Sequence, residues 1–386
     1  MPINVRQGDR DQQFLMPPSV ADWLPEDHLA WFIVDVVAEF DLAEFSASYR
    51  EDGRGGAAYD PALMLATLLY AYCVGERSSR RIERRPVEDV AFRVVAANQT
   101  PDHATLARFR RRHEAAIADL FGQVLGLCVG EGLVDTTVVS IDGTTVEANA
   151  SAWSNRTRQQ LAEEILADAE RVDSVDDERF GEARGNELPE RFAPGADRRA
   201  RVREALRQLD EQGAANFEAH QADRARNRFL QGYNAQAAVS GDQVIVAAEV
   251  TNAANDSTMF VPMVTATEAN LEAAGANAPE TIAADTGYWS AEHLTVETSA
   301  ELLITPMPAT TVKLDHDRTA IERRANVFAQ VEAGSFTTEP VFGNIKANLR
   351  HRRFSGRGMS AVESEWRLIC SVHNLLEMRN RRLAVG

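Results

Sequence analysis

Lysine is nearly absent from this chain. Of 41 basic side chains, 39 are arginine, and only Lys313 and Lys346 are lysines. Neither lysine follows a glycine, so no phosphate-cradling GK[ST] loop is present, and neither lies three residues after a serine, which excludes the SxxK nucleophile. No HExxH pair and no GxSxG elbow occurs. The last tyrosine is Tyr288, so the basic C-terminal region has no tyrosine nucleophile. The three cysteines, Cys73, Cys128 and Cys370, are far apart and show no CxxC spacing, as expected of buried thiols in a reducing cytoplasm. Apolar runs such as AWFIVDVVAEF are broken by acids well short of the ~18 residues of a membrane span, and no apolar leader opens the sequence. A cytoplasmic location is the expectation.

What is present is an ordinary globular composition, 44% apolar and 26% charged over 386 residues, enough for two or three packed units. The net charge of -17 argues against nucleic-acid binding until the charge is divided along the chain. Residues 231–335 hold 4 basic against 14 acidic side chains. Residues 76–113 hold 10 against 5, and residues 336–386 hold 9 against 4. An acidic protein can therefore present two basic surfaces.

Residues 1–134 read as helices. PALMLATLLYAYCVG, VEDVAFRVVAA and TLARFRRRHEAAIADLFGQVLGLCVG carry helical apolar spacing, with Asp60-Pro61 and Thr100-Pro101-Asp102 as start signals. Arg108, Arg110, Arg111 and Arg112 crowd one or two turns of the third run, which could enter a DNA groove or lie along its backbone. GRGG at 53–56 precedes a helix and not a strand end, so it reads as a loop. From about 135 the pattern changes to strands: TTVVSID, then YNAQAAVS and QVIVAAEVT joined by Gly241-Asp242, then ETIAAD and ELLITP between helical segments. This order implies a mixed sheet flanked by helices, an α/β class. Residues 155–228, charged and rich in Gln and Ala, read as a helical insertion.

Two strands end in aspartate. VVSIDGTTVEANAS raises the question whether Asp142 is a turn residue or a catalyst, because Asp-Gly between β-prone runs is a strong hairpin signal. ETIAADTGYWS poses it again at Asp285. Carboxylates at adjacent strand ends would suit Mg²⁺, which takes a few hard oxygen ligands and leaves room for water and phosphate. A third acid opens EPVFGNIKANLRHRRFS at Glu339. On a helix turning about 100° per residue, Lys346, Arg350 and Arg353 would point within roughly 40° of Glu339, with Val341, Ile345 and Leu349 as a separate apolar stripe.

Together these segments resemble the DDE transposases of bacterial insertion sequences, most closely the eleven-eighty-two group. The residues that carry the resemblance are SIDGTTVEANAS, QGYNAQAAV, ADTGYWS and TEPVFGNIKANLRHRRFSGRGMSAVESEWRLICSVHNLL, with LMPPSVADWLPEDHLAWF, AYDPALMLATLLYAY and PDHATLARFRRRH in the helical part. It implies an RNase H-like mixed sheet with an all-helical N-terminal domain for DNA binding and dimerisation at 1–134, and a catalytic domain at 135–386 interrupted by the insertion. It implies catalysis and metal binding by Asp142, Asp285 and Glu339 with Mg²⁺, for which Mn²⁺ may substitute, and with Lys346 beside them. Arg108, Arg110, Arg111, Arg112, Arg350, Arg352 and Arg353 would then contact double-stranded DNA, both the terminal inverted repeats and the target. The implied assembly is a homodimer on DNA, and the implied location the nucleoid. Related enzymes show Tyr, Arg, Glu and Lys at the spacing Y-x2-R-x3-E-x6-K. This chain keeps Glu339 and Lys346 but has Glu332 and Ser335 at the first two places. An inactive DNA-binding relative and an RNase H-like nuclease are the rival readings.

Overall fold

The computed structural model describes residues 19–47, 49, 58–149, 232–290, 292–305 and 338–385. The expected insertion at 155–228, the GRGG stretch, Glu332 and Ser335 lie outside the described residues.

The N-terminal part is helical, as its periodicity requires. Helices α1 (Leu29–Glu39), α2 (Ala43–Ala47), α3 (Pro61–Cys73), α4 (Ser79–Glu88) and α5 (Val90–Val95) precede α6 (His103–Arg112) and α7 (Glu114–Gly130). Asp60 caps α3 by accepting a hydrogen bond from the Ala62 amide at 2.9 Å, and Pro61 takes the first helical place, where a missing N–H costs nothing. Asp102 caps α6 through the Thr105 amide at 2.9 Å. The long run after Thr100 is not one helix: it breaks at His113, whose φ of -112° and ψ of 26° leave helical geometry. The buried His113 ring packs 4.7 Å from Phe109 and 5.0 Å from Phe45, contacts that hold the chain at the bend.

Five strands follow: β1 (Val138–Glu147), β2 (Gly232–Val239), β3 (Ile245–Thr251), β4 (Thr281–Ala284) and β5 (Glu301–Ile304), in the spatial order β3-β2-β1-β4-β5. β1 pairs antiparallel with β2, and β2 with β3, whereas β4 runs parallel to β1 and β5 parallel to β4. The Asp142-Gly143 hairpin is not formed. β1 continues through both residues to Glu147, with Asp142 opposite Ala237 and Gly143 opposite Gln236. Helix α8 (Phe260–Ala273) covers part of the sheet, and short α9 (Glu339–Gly343) leads toward the long α10 (Met359–Val385).

Helix α10 locks the sheet to the N-terminal helices. Its Asn374 side chain accepts from the Ile245 amide and donates to the Ile245 carbonyl, both at 2.8 Å, which satisfies the open edge of β3. Trp366, fully buried, donates its indole N–H to the Gln236 carbonyl at 2.9 Å. On its other side α10 meets α7, and the buried residues of helices and sheet form one continuous apolar core.

His351 joins this core to α3. It is fully buried, donates from Nε2 to the Tyr72 carbonyl at 3.1 Å, and stacks on the Tyr72 ring at 5.2 Å. Burial first, then the nearby Arg77 charge, lowers its pKa to about 4. A depressed folded-state pKa means that the neutral ring supports the fold above the ordinary value near 6.5, and that this support is lost as pH falls toward 4. The shift corresponds to about 3 kcal/mol at most. The urea midpoint of the wild type is therefore expected to drop between pH 7 and 4.5 by more than that of His351→Gln, and equal drops would show that His351 does not drive the acid sensitivity.

Candidate active site

Parallel pairing of β1 with β4 ends at Ile141 and Ala284. The next residue on each strand is Asp142 and Asp285, so register alone sets two carboxylates side by side. Beyond them β4 turns away in a 3₁₀ turn, Thr286–Tyr288, while β1 runs on beside β2. The divergence opens a crevice at the strand ends.

Each acid is held in place. Asp142 accepts from the Thr338 hydroxyl at 2.6 Å and from the Gly143 amide at 2.7 Å. Asp285 accepts from the Gly287 amide at 2.8 Å, which caps the turn. Both carboxyl pKa values are raised. For Asp142, burial is the main cause, outweighing those hydrogen bonds, and the charges of Asp285 and Asp256 add to it. For Asp285, which is exposed at the rim as a whole residue, desolvation of the carboxyl again leads, followed among the raising causes by Asp256.

Asp256 escaped sequence reasoning. It follows β3 at the start of a 3₁₀ turn, and its Oδ1 accepts from Asn234 Nδ2 at 2.6 Å and from Gln236 Nε2 at 2.8 Å. Gln236 is completely buried and also accepts from the Tyr288 hydroxyl. A signal was available: Asn234 and Gln236 alternate along an otherwise apolar strand, and Asn255-Asp256-Ser257 is a third strand-end aspartate. The role of Gly143 follows from this network. A Cβ there would stand 2.3 Å from Gln236 Nε2 and 2.6 Å from Asp256 Oδ1, so the glycine serves close approach and not a turn.

Lys346 reaches the same crevice. Its ammonium donates to the hydroxyl of Thr144, two residues along β1 from Asp142. Partial burial lowers its pKa, against the pull of Asp142. Glu339 does not meet the aspartates. It is exposed at the first position of α9, and the residue before it, Thr338, makes the contact to Asp142.

The continuous helix expected from Glu339 to Arg353 is not formed either. After five residues α9 widens into a π-helical turn, Asn344–Asn348, and Arg350 ends it with φ of 60°. The stripe of Val341, Ile345 and Leu349 is buried as expected. Arg350 and Arg353, however, do not share a helical face with Glu339. Arg353 lies in an extended segment bridged to Glu147, whose carboxylate it meets at 2.8 Å, while Arg352 donates to the Lys346 carbonyl at 2.9 Å. The Arg353–Glu147 pair is about half exposed, so it contributes little to stability.

In the N-terminal cluster Arg108, Arg111 and Arg112 are exposed. Arg110 turns inward and donates to the Tyr72 hydroxyl and the Arg77 carbonyl, both at 3.2 Å, and to the Ser79 hydroxyl. A cleft of about 450 Å³ between α6–α7 and the start of α10 is lined in part by Arg110, Arg111 and Arg357. It brings the two basic stretches of the sequence together.

The donor set at the strand ends fits a divalent cation. Its oxygens are hard, and the neighbouring charges of Asp285 and Asp256 contribute to the raised pKa of Asp142, as grouped carboxylates do. Among the described residues no three His, Cys, Asp or Glu side chains are already gathered tightly enough to hold a metal ion.

Residues 18–112 match the family model of a transposase domain, and residues 301–379 match that of a transposase DDE domain. The two matches indicate a transposase of an insertion sequence. The first contains the arginines of α6, and the second contains Glu339, Lys346, Arg350, Arg352 and Arg353. Comparison with curated proteins and with solved structures gave no significant match.

Gly143→Ala tests the packing of the crevice. Because Gln236 is buried and bonded on both sides, it cannot swing away, and the substitution is expected to cost about 1–3 kcal/mol. Thermal unfolding measures this, and an unchanged midpoint would mean that the network yields freely.

Proposed function

We propose that this transposase cuts and joins the ends of its DNA element by metal-assisted phosphoryl transfer, with Asp142, Asp285 and Glu339 as the acids. The observation that carries the reading is the placement of Asp142 and Asp285 directly after the last parallel pair of β1 and β4, in a chain with two transposase matches. An RNase H-like sheet is supported by the strand order β3-β2-β1-β4-β5 with the first three strands antiparallel and the last two parallel. The proposed layout is an N-terminal DNA-binding and dimerisation region to residue 134 and a catalytic region from 135 onward.

Bound Mg²⁺ or Mn²⁺ would supply activation of water or a DNA 3′-hydroxyl and neutralisation of charge at phosphorus. Asp142 and Asp285 would hold it. Glu339 would complete the set once α9 turns it inward in exchange for the Thr338 hydroxyl. Lys346 would hold a backbone phosphate beside Asp142, and the arginines at 350, 352 and 353 would extend that contact without reading sequence. Exposed Arg108, Arg111 and Arg112 are the proposed contacts to the terminal repeats, and Arg110 supports them from within. The partner is double-stranded DNA, bound by a homodimer that brings two ends together. Among the described residues no helix is long and apolar enough to cross a membrane.

One observation favours a binding protein without activity: Thr338, and not Glu339, meets Asp142. Purified protein with the element's own ends and Mg²⁺ or Mn²⁺ separates the two readings. Cleavage and joining are expected, reduced by on the order of 10²–10³-fold or more in Asp142→Ala, Asp285→Ala and Glu339→Ala. End-specific binding without any cutting would establish the inactive relative. Lys346→Met is expected to weaken binding of all DNA sequences alike and to lower the salt slope by about 1, measured by titration at several salt concentrations.

A further inference from the structure

We propose that Asp256 belongs to the same reaction centre, as a third carboxylate facing the cation held by Asp142 and Asp285. The inference rests on the metal-assisted reading above, and it adds an acid that neither the strand-end register nor the resemblance to transposases supplies.

Two features set Asp256 there. Its Oδ1 lies 2.6 Å from the position a Gly143 Cβ would take, and its Oδ2 lies 3.3 Å from the corresponding position at Gly287. Asp285 Oδ1 lies 3.1 Å from that same Gly287 position, so the Asp256 and Asp285 carboxylates flank one point, while Gly143 ties Asp256 to the strand that bears Asp142. The second feature is how it is held. Both amide donors, from Asn234 and Gln236, meet Oδ1, and no hydrogen bond to Oδ2 is formed among the described residues. Gln236 is itself fixed by the Tyr288 hydroxyl, and its backbone carbonyl by Trp366.

The energetics point the same way. A third carboxylate beside two others is repulsive unless a cation offsets it, and a purely structural acceptor for two amides needs no charge. An asparagine would serve that structural purpose equally well. Asp256 therefore exposes an anionic oxygen where only a cation gives it a use, and it stays at the crevice whether or not α9 has turned Glu339 inward.

The substitution Asp256→Asn keeps an acceptor for both amides and replaces only the outward oxygen. Mn²⁺ binding to the full chain without DNA, followed by electron paramagnetic resonance of free Mn²⁺, is expected to weaken about tenfold or more in Asp256→Asn, as in Asp142→Asn. In EDTA the variant is expected to unfold at or above the wild-type temperature, since repulsion is relieved, and to gain less from added Mn²⁺. A structural role would instead lower the midpoint in EDTA and leave Mn²⁺ affinity unchanged. Wild-type protein loaded with Fe²⁺ and treated with ascorbate and peroxide gives a second measurement that needs no variant: backbone scission is expected near residues 142, 256 and 285. Scission near 142 and 285 without 256, or Mn²⁺ affinity within twofold of wild type in Asp256→Asn while Asp142→Asn loses it, would overturn the role of Asp256 and leave the metal site intact. Absence of Mn²⁺ binding and of Fe²⁺ scission in the wild type would overturn the metal-assisted reading itself.

Discussion

The place where β1 and β4 stop being paired governs the rest of this molecule. Parallel ladder bonds bring Ile141 and Ala284 into register, and the next residues, both aspartates, stand where the pairing of β1 with β4 has stopped while β1 stays paired with β2. Two acids adjacent at the rim of a buried sheet repel each other and are poorly solvated, a combination that costs stability unless hydrogen bonds or a cation offset it. The fold supplies part of the offset through backbone amides at Gly143 and Gly287 and the hydroxyl of Thr338. The rest is left unmet, and both carboxyl pKa values stay raised. A polar crevice kept under such tension has to be braced from outside.

Helix α10 is the brace. It caps the edge of β3 with Asn374 and holds β2 through Trp366, while its other face packs on α7. The same helix thus connects the sheet that bears the aspartates to the helices that bear the exposed arginines. Through Trp366 and Asn374 this one helix fixes both β2, which carries Gln236, and β3, which leads to Asp256. Packing of this kind transmits displacement because dense interiors deform little.

Much of this was legible in the sequence because it depends on local chemistry. Helix starts at Asp60 and Asp102, the five strands and the strand-end aspartate Asp285 all follow from caps, alternation and turn residues. What was not legible depends on tertiary contacts. Asp142-Gly143 carries the strongest hairpin signal in the chain, yet β1 runs straight through it, because β2 pairs along its whole length and Asp256 requires the glycine's empty side. Helical spacing from Glu339 to Arg353 is equally clear in sequence. There the π-helical turn and the bridge of Arg353 to Glu147 win, since the segment returns to pair with the end of β1. Arg110 looked like its neighbours and differs only in the partners folding brings to it, Tyr72 and Ser79.

The charge distribution constrains the order of events at the crevice. On the proposed reading, a DNA phosphate approaching Asp142, Asp256 and Asp285 meets three like charges, two of them within the acidic stretch 231–335, in a chain with net charge -17. Lys346 offsets part of this, and it is half-buried and already engaged with Thr144, so it cannot neutralise all three. The exposed arginines of α6 and of the segment after α9 lie on other elements and, on the proposed reading, hold the flanking backbone. DNA can then be captured by arginine outside the crevice, while seating the scissile phosphate within it requires positive charge that the protein alone does not provide. Capture and cleavage become electrostatically separable steps, and an acidic catalytic region is compatible with a DNA-binding protein because the two steps use different surfaces.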